Sequence, residues 1–445
     1  MLNRNINNAL IAWKDSRIRR PLLVRGARQV GKTHSVEWFA KRNFKNYTLV
    51  NFEERPEMAA CFDSFHVRDI VEKISLLTQT DIKPGESLLF LDEIQECPRA
   101  ILALRYFFEK MPDLHIIGAG SLVEIAFRSE NFRMPVGRIT SIFMDPLTFG
   151  EFLDAMGHER LRAYLGRVEV AVGIDRAFND EMARLLRKYL VVGGMPAAVA
   201  AYADNATPEE IKTLQTTILQ TYKADFAKYA ATSQHKYLKE VFAATPGLVG
   251  NQCKYTRINP HIQSRDLKNA ISLLEEARCL YQVRHSAGHG VPLGAQTNPK
   301  KFKLLHLDVG LMQRALWLDA ALHLDRDIMA INQGSVVEQF IGQQLLAAAN
   351  PYDERVVFYW SRARKSSQAE VDYLVHLADK VFPVEVKSGK TGKLKSLRLF
   401  IDEHPGSPFG IRFSLHELSW HDNVLSIPLY MAEHWPRLAT EILRS

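Results

Sequence analysis

The stretch Gly26-Ala27-Arg28-Gln29-Val30-Gly31-Lys32-Thr33 has the spacing G-x-x-x-x-G-K-T, and the chemistry it can do is to hold a phosphate chain. Gly26 and Gly31 let the backbone curl so that the amides of Ala27, Arg28, Gln29 and Val30 point inward at phosphate oxygens. A helix starting at Lys32 and continuing through His34 adds the positive end of its dipole. Lys32 would neutralise the β- and γ-phosphates of ATP, and Thr33 would place its hydroxyl on Mg²⁺. A second run, Ser87-Leu88-Leu89-Phe90-Leu91-Asp92-Glu93, ends four apolar residues in two acids. Asp92 would hold the Mg²⁺, and Glu93 would orient or deprotonate the attacking water, which argues for hydrolysis to ADP and not for binding alone.

A second set of candidates lies late in the chain. The runs Ala369-Glu370-Val371-Asp372-Tyr373-Leu374-Val375 and Val381-Phe382-Pro383-Val384-Glu385-Val386-Lys387 read as a hairpin. A turn centred on Ala378-Asp379 sets Asp372 opposite Glu385, with Cβ atoms ~4.5–5.5 Å apart. Two carboxylates that close repel unless a proton or cation joins them, and a hard ion such as Mg²⁺ or Mn²⁺ is the natural partner. Lys387 falls on the same face by period-two alternation, where it could stabilise charge on a scissile phosphate. Glu338, from a preceding helix, could complete this site.

Elements must position these groups. Leu22-Leu23-Val24-Arg25 reads as the strand before the glycine loop, and Tyr47 to Phe52 as another. Leu114 to Gly120 is a further buried strand that ends at Ser121, whose hydroxyl could reach the attacking water or the γ-phosphate. Ile142-Phe143-Met144 is expected as a fifth strand. Arg138 lies just before it, either solvated or projecting into a neighbouring subunit's nucleotide site as an arginine finger. From Pro146 to about Tyr229 the pattern is helical, with Thr207-Pro208-Glu209-Glu210 a capping-box start. Residues from about Lys236 to Leu316 look like a winged helix, with Tyr281 to Arg284 and Lys301 to Leu307 paired as strands. Arg265, Lys268 and the Lys300-Lys301-Lys303 cluster could there meet DNA phosphates.

The order of these motifs resembles the AAA+ branch of P-loop ATPases. More narrowly it is similar to a bacterial and archaeal group in which the ATPase is fused to a C-terminal nuclease-like region. Phrases carrying the resemblance are Gly26 to Thr33, Leu91-Asp92-Glu93-Ile94-Gln95, Gly137-Arg138, Pro146 to Phe152 and Gly193-Gly194-Met195-Pro196. Later ones are Leu307-Asp308-Val309-Gly310-Leu311 and Glu385-Val386-Lys387-Ser388-Gly389. The resemblance implies that the first helices after Pro146 form the ATPase lid, that Ser121 is a sensor, and that Asn51 restrains Glu93. The family often has a hydroxyl pair after the glycine where this chain has Gly118-Ala119-Gly120-Ser121. The Asp372…Glu385-x-Lys387 pattern resembles the PD-(D/E)XK nuclease fold, most nearly archaeal Holliday-junction resolvases.

Composition sets outer bounds. At 445 residues the chain is long for one core. Four scattered cysteines with no C-x-x-C pair, and no secretory pattern at the start, fit reduced thiols in the cytoplasm. The longest apolar stretch, Leu190 to Ala203, is short for a membrane span. The net charge of +7 permits nucleic acid without arguing for it. From residue 331 onward 13 Lys+Arg face 13 Asp+Glu, so any basic patch is local: Arg362, Arg364 and Lys365, then Lys387, Lys390, Lys393, Lys395 and Arg398.

The expected architecture is therefore α/β. An AAA+ P-loop parallel-sheet core (1–145) precedes a helical lid and linker (146–230), a winged-helix-like segment (231–330) and a restriction-endonuclease-like α/β domain (331–445). The expected activity is Mg²⁺-dependent ATP hydrolysis in a homo-oligomer, a ring or partial ring, with no membrane partner. Two classes of function then compete. One is DNA binding or processing through the nuclease-like domain; the other is a nucleotide-dependent switch in which that domain is catalytically silent and binds protein or ligand.

Overall fold

The computed structural model describes residues 2–123, 137–229, 232–318, 333–362, 369–389 and 394–445. Helix α1 (Ile6–Lys14) leads into strand β1 (Leu22–Arg25), which the glycine loop joins to α2 (Lys32–Asn43). Then follow β2 (Asn46–Asn51), α3 (Val67–Thr78), β3 (Ser87–Asp92), α4 (Pro98–Lys110), β4 (His115–Gly120) and β5 (Thr140–Phe143). These five strands form one parallel sheet in the order β2-β3-β4-β1-β5. All six residues of β3 are buried. Leu88 and Phe90 point into one core while Leu89 and Leu91 point into another, as a strand covered on both faces requires.

A helical layer follows: α5 (Phe149–Ala155), α6 (Glu159–Leu165), α7 (Arg176–Val192), α8 (Pro196–Ala203) and α9 (Pro208–Tyr229). The expected capping box opens α9, with the Glu210 amide donating to Thr207 Oγ1 (3.3 Å) and the Thr207 amide to Glu210 Oε2 (2.7 Å). Next come α10 (His235–Leu248), α11 (Ser264–Glu276), β6 (Leu280–Ser286), β7 (Thr297–His306) and α12 (Val309–Ala315). The last group is α13 (Gln333–Ala347), β8 (Val357–Ser361), β9 (Glu370–Leu377), β10 (Lys380–Val386), α14 (Lys395–Glu403), β11 (Gly410–Ser414), β12 (Ser419–His421), β13 (Val424–Pro428) and α15 (Trp435–Arg444).

Strands β6 and β7 pair as an antiparallel hairpin, and the hairpin does not stand apart. β6 runs parallel to β8 (Val283 opposite Val357), giving one eight-stranded mixed sheet, β12-β13-β11-β10-β9-β8-β6-β7. The boundary expected at 330/331 thus falls between strands of a single sheet. A shared core says the same: Leu88 and Ile117 of the first sheet, Tyr189 and Tyr222 of the helical layer, and Phe382 and Phe413 of the second sheet belong to one buried cluster.

Three phrases singled out in the sequence meet at one buried knot. Asp308, with no exposed surface, accepts the amides of Gly194 (2.6 Å) and Leu311 (3.0 Å) and the side-chain amide of Gln343 (3.2 Å). The Leu147 amide donates to the Gly194 carbonyl (2.7 Å), and the Tyr189 hydroxyl to the Leu147 carbonyl (2.5 Å). A second junction ties β5 to the last third of the chain. Arg355 Nε donates to Asp145 Oδ2 (2.7 Å), its Nη2 to the Phe143 carbonyl (3.1 Å), and the Phe143 amide to the Pro351 carbonyl (2.8 Å).

Candidate nucleotide and carboxylate sites

Because β1 is flanked by β4 and β5 and all run the same way, the glycine loop emerges at the carboxyl edge of the sheet. Gly26 has no room for a side chain, since a Cβ there would lie 2.3 Å from the Met144 carbonyl oxygen. Gly31 adopts φ +92, a conformation that favours glycine. α2 begins at Lys32, and the Lys32 ammonium is buried against the loop, donating to the carbonyls of Gly26 (3.1 Å) and Ala27 (2.8 Å). Gln29 is exposed at φ +62, His34 is exposed on the first turn, and Val30 is buried.

β3 delivers the acids to the same edge. Thr33 Oγ1 donates to Asp92 Oδ2 at 2.8 Å, so a hydroxyl and a carboxylate converge as hard oxygen donors that suit Mg²⁺. Asp92 is pushed up to about 6, by burial first and by the Glu93 charge, against the opposing pull of the Thr33 hydrogen bond. Glu93 sits at φ +46, where its Oε2 accepts the side-chain amide of Gln95 (2.7 Å). Gly120 makes room for that amide: a Cβ there would lie 2.3 Å from Gln95 Oε1.

Asn51 does not restrain Glu93. Its Oδ1 instead accepts the amides of Glu53 (2.9 Å) and Glu54 (3.2 Å), the local turn that a short amide side chain favours. Gln95 is the residue on Glu93, and its presence in the phrase Leu91 to Gln95 was the only signal in the sequence. Ser121 is buried one residue past Gly120, which lies opposite Arg25, so it stands next to the start of the loop.

Arg138 stands at the other edge. β5 pairs in parallel with β1, Thr140 opposite Leu22, so Arg138 precedes the amino end of the strand while Gly26 follows the carboxyl end of its neighbour. Strand rise alone separates the two edges by about 10 Å. Arg138 Nε pairs with Glu109 Oε1 (3.1 Å) at a side chain 47% exposed.

Arg28 shows a contact that motif reading missed. Its Nη1 pairs with Asp225 of α9 at 2.7 Å, and its carbonyl accepts the Tyr222 hydroxyl. Glu53 lies 3.4 Å from Arg28 and 2.8 Å from Lys228, also of α9. The hydrogen bond from Lys228, ahead of the Arg28 charge, holds Glu53 below the usual carboxylate range. The long helix therefore grips the phosphate loop by both its backbone and its side chain.

The second site gathers more groups than the sequence suggested. β9 and β10 pair with Val384 opposite Tyr373, joined by Ala378 (φ +52) and Asp379, and the same register continued sets Glu385 against Asp372. Lys387 Nζ lies 2.5 Å from Glu385 Oε1, and the Val386 amide donates to Asp372 Oδ2 (2.8 Å). Glu338 arrives from α13. Lys303, expected on a phosphate-facing surface with Lys300 and Lys301, is instead 1% exposed in the middle of these acids. Its Nζ lies 2.6 Å from Glu370, 3.0 Å from Glu338 and 3.8 Å from Asp372. The cause is the merged sheet: β6 pairs with β8 on one side and with β7 on the other, and Lys303 points to the face where β9 and α13 present carboxylates. Glu370 and Lys303 are the residues the sequence reading missed.

Electrostatics follow from that enclosure. Burial alone would lower Lys303, but Glu338, Asp372 and Glu370 outweigh it and hold the ammonium charged. Glu338 and Glu385 are each pushed up to about 7, by burial first and by the charge of Asp372. Lys303 opposes this rise at Glu338 and Lys387 opposes it at Glu385, each through its charge and its hydrogen bond. Among the described residues no group of three or more His, Cys, Asp or Glu is arranged to hold a metal ion. The point that a second divalent ion was expected to fill is met instead by the Lys303 ammonium, which stands between Glu338, Glu370 and Asp372. Of the local basic patch, Arg362 pairs with Glu403 and Arg398 with Asp422 (3.4 Å), while Arg364, Lys365, Lys390 and Lys393 lie outside the described residues.

Residues 18–153 match the family model described as AAA domain. The chain carries an AAA-type P-loop ATPase domain. Residues 183–322 and 333–430 match two models described as domains of unknown function, DUF8612 and DUF4143. No curated protein matches. Similar solved structures include the Aeropyrum pernix ORC1 protein in complex with DNA (13% identity, 72% of this chain and 92% of that one, TM-score 0.28). Another is the Thermotoga maritima RuvB Holliday junction branch migration motor (17%, 63% and 89%, TM-score 0.27). Among the described residues no helix is long and apolar enough to cross a membrane.

Proposed function

We propose that this chain hydrolyses ATP with Mg²⁺ at the glycine loop and transmits its nucleotide state to the rest of the fold through α9. The observation that carries this reading is the convergence of Lys32, Thr33 and Asp92 at one edge of the parallel sheet. Lys32 would exchange its two loop carbonyls for the β- and γ-phosphates. Thr33 and Asp92 would hold Mg²⁺, which when bound offsets phosphate charge. Glu93, released from Gln95, would orient the attacking water, with Ser121 as a polar neighbour. Arg138, on the far edge, acts only if a second copy brings it to another subunit's site, so the reading includes a homo-oligomer. Nucleotide-driven movement of Arg28 would be felt by Asp225 and Tyr222, and α9 is the mechanical output. The soluble setting that suits this reading is the cytoplasm.

The test is ATP turnover at a series of protein concentrations. Lys32→Ala should lose at least 100-fold, consistent with about 3 kcal/mol for two charge-assisted phosphate contacts. Native specific activity should rise with concentration, and Arg138→Ala should remove that rise. Full turnover by Lys32→Ala overturns the site; concentration-independent turnover overturns the role in trans. A DNA-coupled version rests on Arg265 and Lys268, which stand exposed on α11. Salt-dependent DNA binding lost in the Arg265→Ala, Lys268→Ala double variant would support it.

A further inference from the structure

We propose that Lys303 takes the place of a divalent cation in the C-terminal carboxylate cluster, so that this site is filled by a covalently tethered ammonium and takes no metal. The inference is independent of the nucleotide reading. Glu338, Glu370 and Asp372 come from α13 and β9, and the point on which their oxygens converge is the Lys303 nitrogen, at 3.0, 2.6 and 3.8 Å. The first two are charge-assisted hydrogen-bond lengths. Mg²⁺ needs oxygens at about 2.0–2.1 Å and Ca²⁺ at about 2.3–2.6 Å in the same space. Either ion would sit against a fixed positive charge.

A surface lysine could swing aside to admit an ion, whereas this one is enclosed. Its side chain is 1% exposed, and its ammonium lies 5.3 Å from the centre of the Tyr359 ring. Asp372 has further duties, with Oδ2 accepting the Val386 amide. Glu385 has Oε1 engaged by Lys387, while its Oε2 is buried without a hydrogen-bond partner. What the arrangement does instead is staple: Lys303 comes from the hairpin before residue 330 and its carboxylates come from beyond it, so the ion cluster fastens β7 to α13 and β9.

The experiment is Mn²⁺ titration of the full-length chain without nucleotide, followed by electron paramagnetic resonance of the free ion. The native protein should bind no Mn²⁺ that Asp372→Asn or Glu385→Gln removes. Lys303→Met, which keeps the length of the stem and deletes the charge, should gain one site at least 10-fold tighter than any on the native chain, and adding Asp372→Asn should abolish it. A native Mn²⁺ site lost in Asp372→Asn overturns the proposal, as does Mn²⁺-dependent DNA cleavage lost in Glu385→Gln. A folded Lys303→Met with no gained site also overturns it. Should that variant fail to fold, the comparison of native protein with the two carboxylate variants still decides.

Discussion

Asp145→Ala should destabilise the chain far more than loss of a surface ion pair. The carboxylate meets Arg355 Nε at 2.7 Å, with side chains 2% and 8% exposed, and its second oxygen lies 3.3 Å from the Tyr281 hydroxyl. An exposed pair contributes at most about 1 kcal/mol, whereas stranding one buried partner costs about 3–5 kcal/mol. Coulomb attraction gives a similar scale, about 4 kcal/mol at 4 Å and an effective dielectric near 20. Arg355 would keep the carbonyls of Phe143 and Asn350, which places the expected loss near the lower end. The assay is urea unfolding of native protein, Asp145→Ala, Arg355→Met and the double variant. Because the second substitution removes the stranded charge, the double variant should recover about 2 kcal/mol relative to the sum of the singles. Arg4 reaches Asp145 only through the backbone carbonyl (2.6 Å) while also supporting Val30 of the phosphate loop (2.8 Å). Nucleotide affinity well below the transition should therefore be unchanged in Asp145→Ala. A cost under about 1 kcal/mol, or strict additivity, refutes the claim that this buried pair fastens the two sheets.

Two further predictions concern the buried knot and its pH response. Gly193 has φ +77 and ψ −170, a region open essentially to glycine, and a Cβ there would lie 2.2 Å from Asp308 Oδ1. Gly193→Ala should cost about 3 kcal/mol or more, since strain adds to disturbance of a buried carboxylate that holds three donors; a urea midpoint within error of native would refute this. His306, 1% exposed, is lowered to about 4, burial outweighing its hydrogen bond to the Asp308 carbonyl. The folded ring is then neutral where the unfolded chain, near 6.5, takes up a proton first. Its contribution is complete above pH 6.5 and is lost as pH falls toward 4, by at most about 3 kcal/mol. His306→Asn should flatten the stability profile over that window, and an unaltered slope would count against it.

What the sequence could tell followed from range. The phosphate loop was legible because every group it needs lies within eight consecutive residues, and the strand and helix around it leave few other conformations. The Asp372–Glu385 register was legible for a related reason: two turn residues, Ala378 and Asp379, fix the pairing of all that follows in a hairpin. Asn51 defeated the reading because its amide had a nearer partner than Glu93, the amides two and three residues on. Lys303 defeated it for the opposite reason. Its own strand reads Lys300-Lys301-Phe302-Lys303, a pattern that looks solvent-facing, and its burial depends on β6 joining β8 more than 70 residues away. That lysine's meaning was set by which strand came to lie on the far side of its hairpin partner. The same dependence explains why Asp225 was read only as part of a helix: it became a ligand of Arg28 once α9 crossed the loop, 197 residues from the arginine it holds.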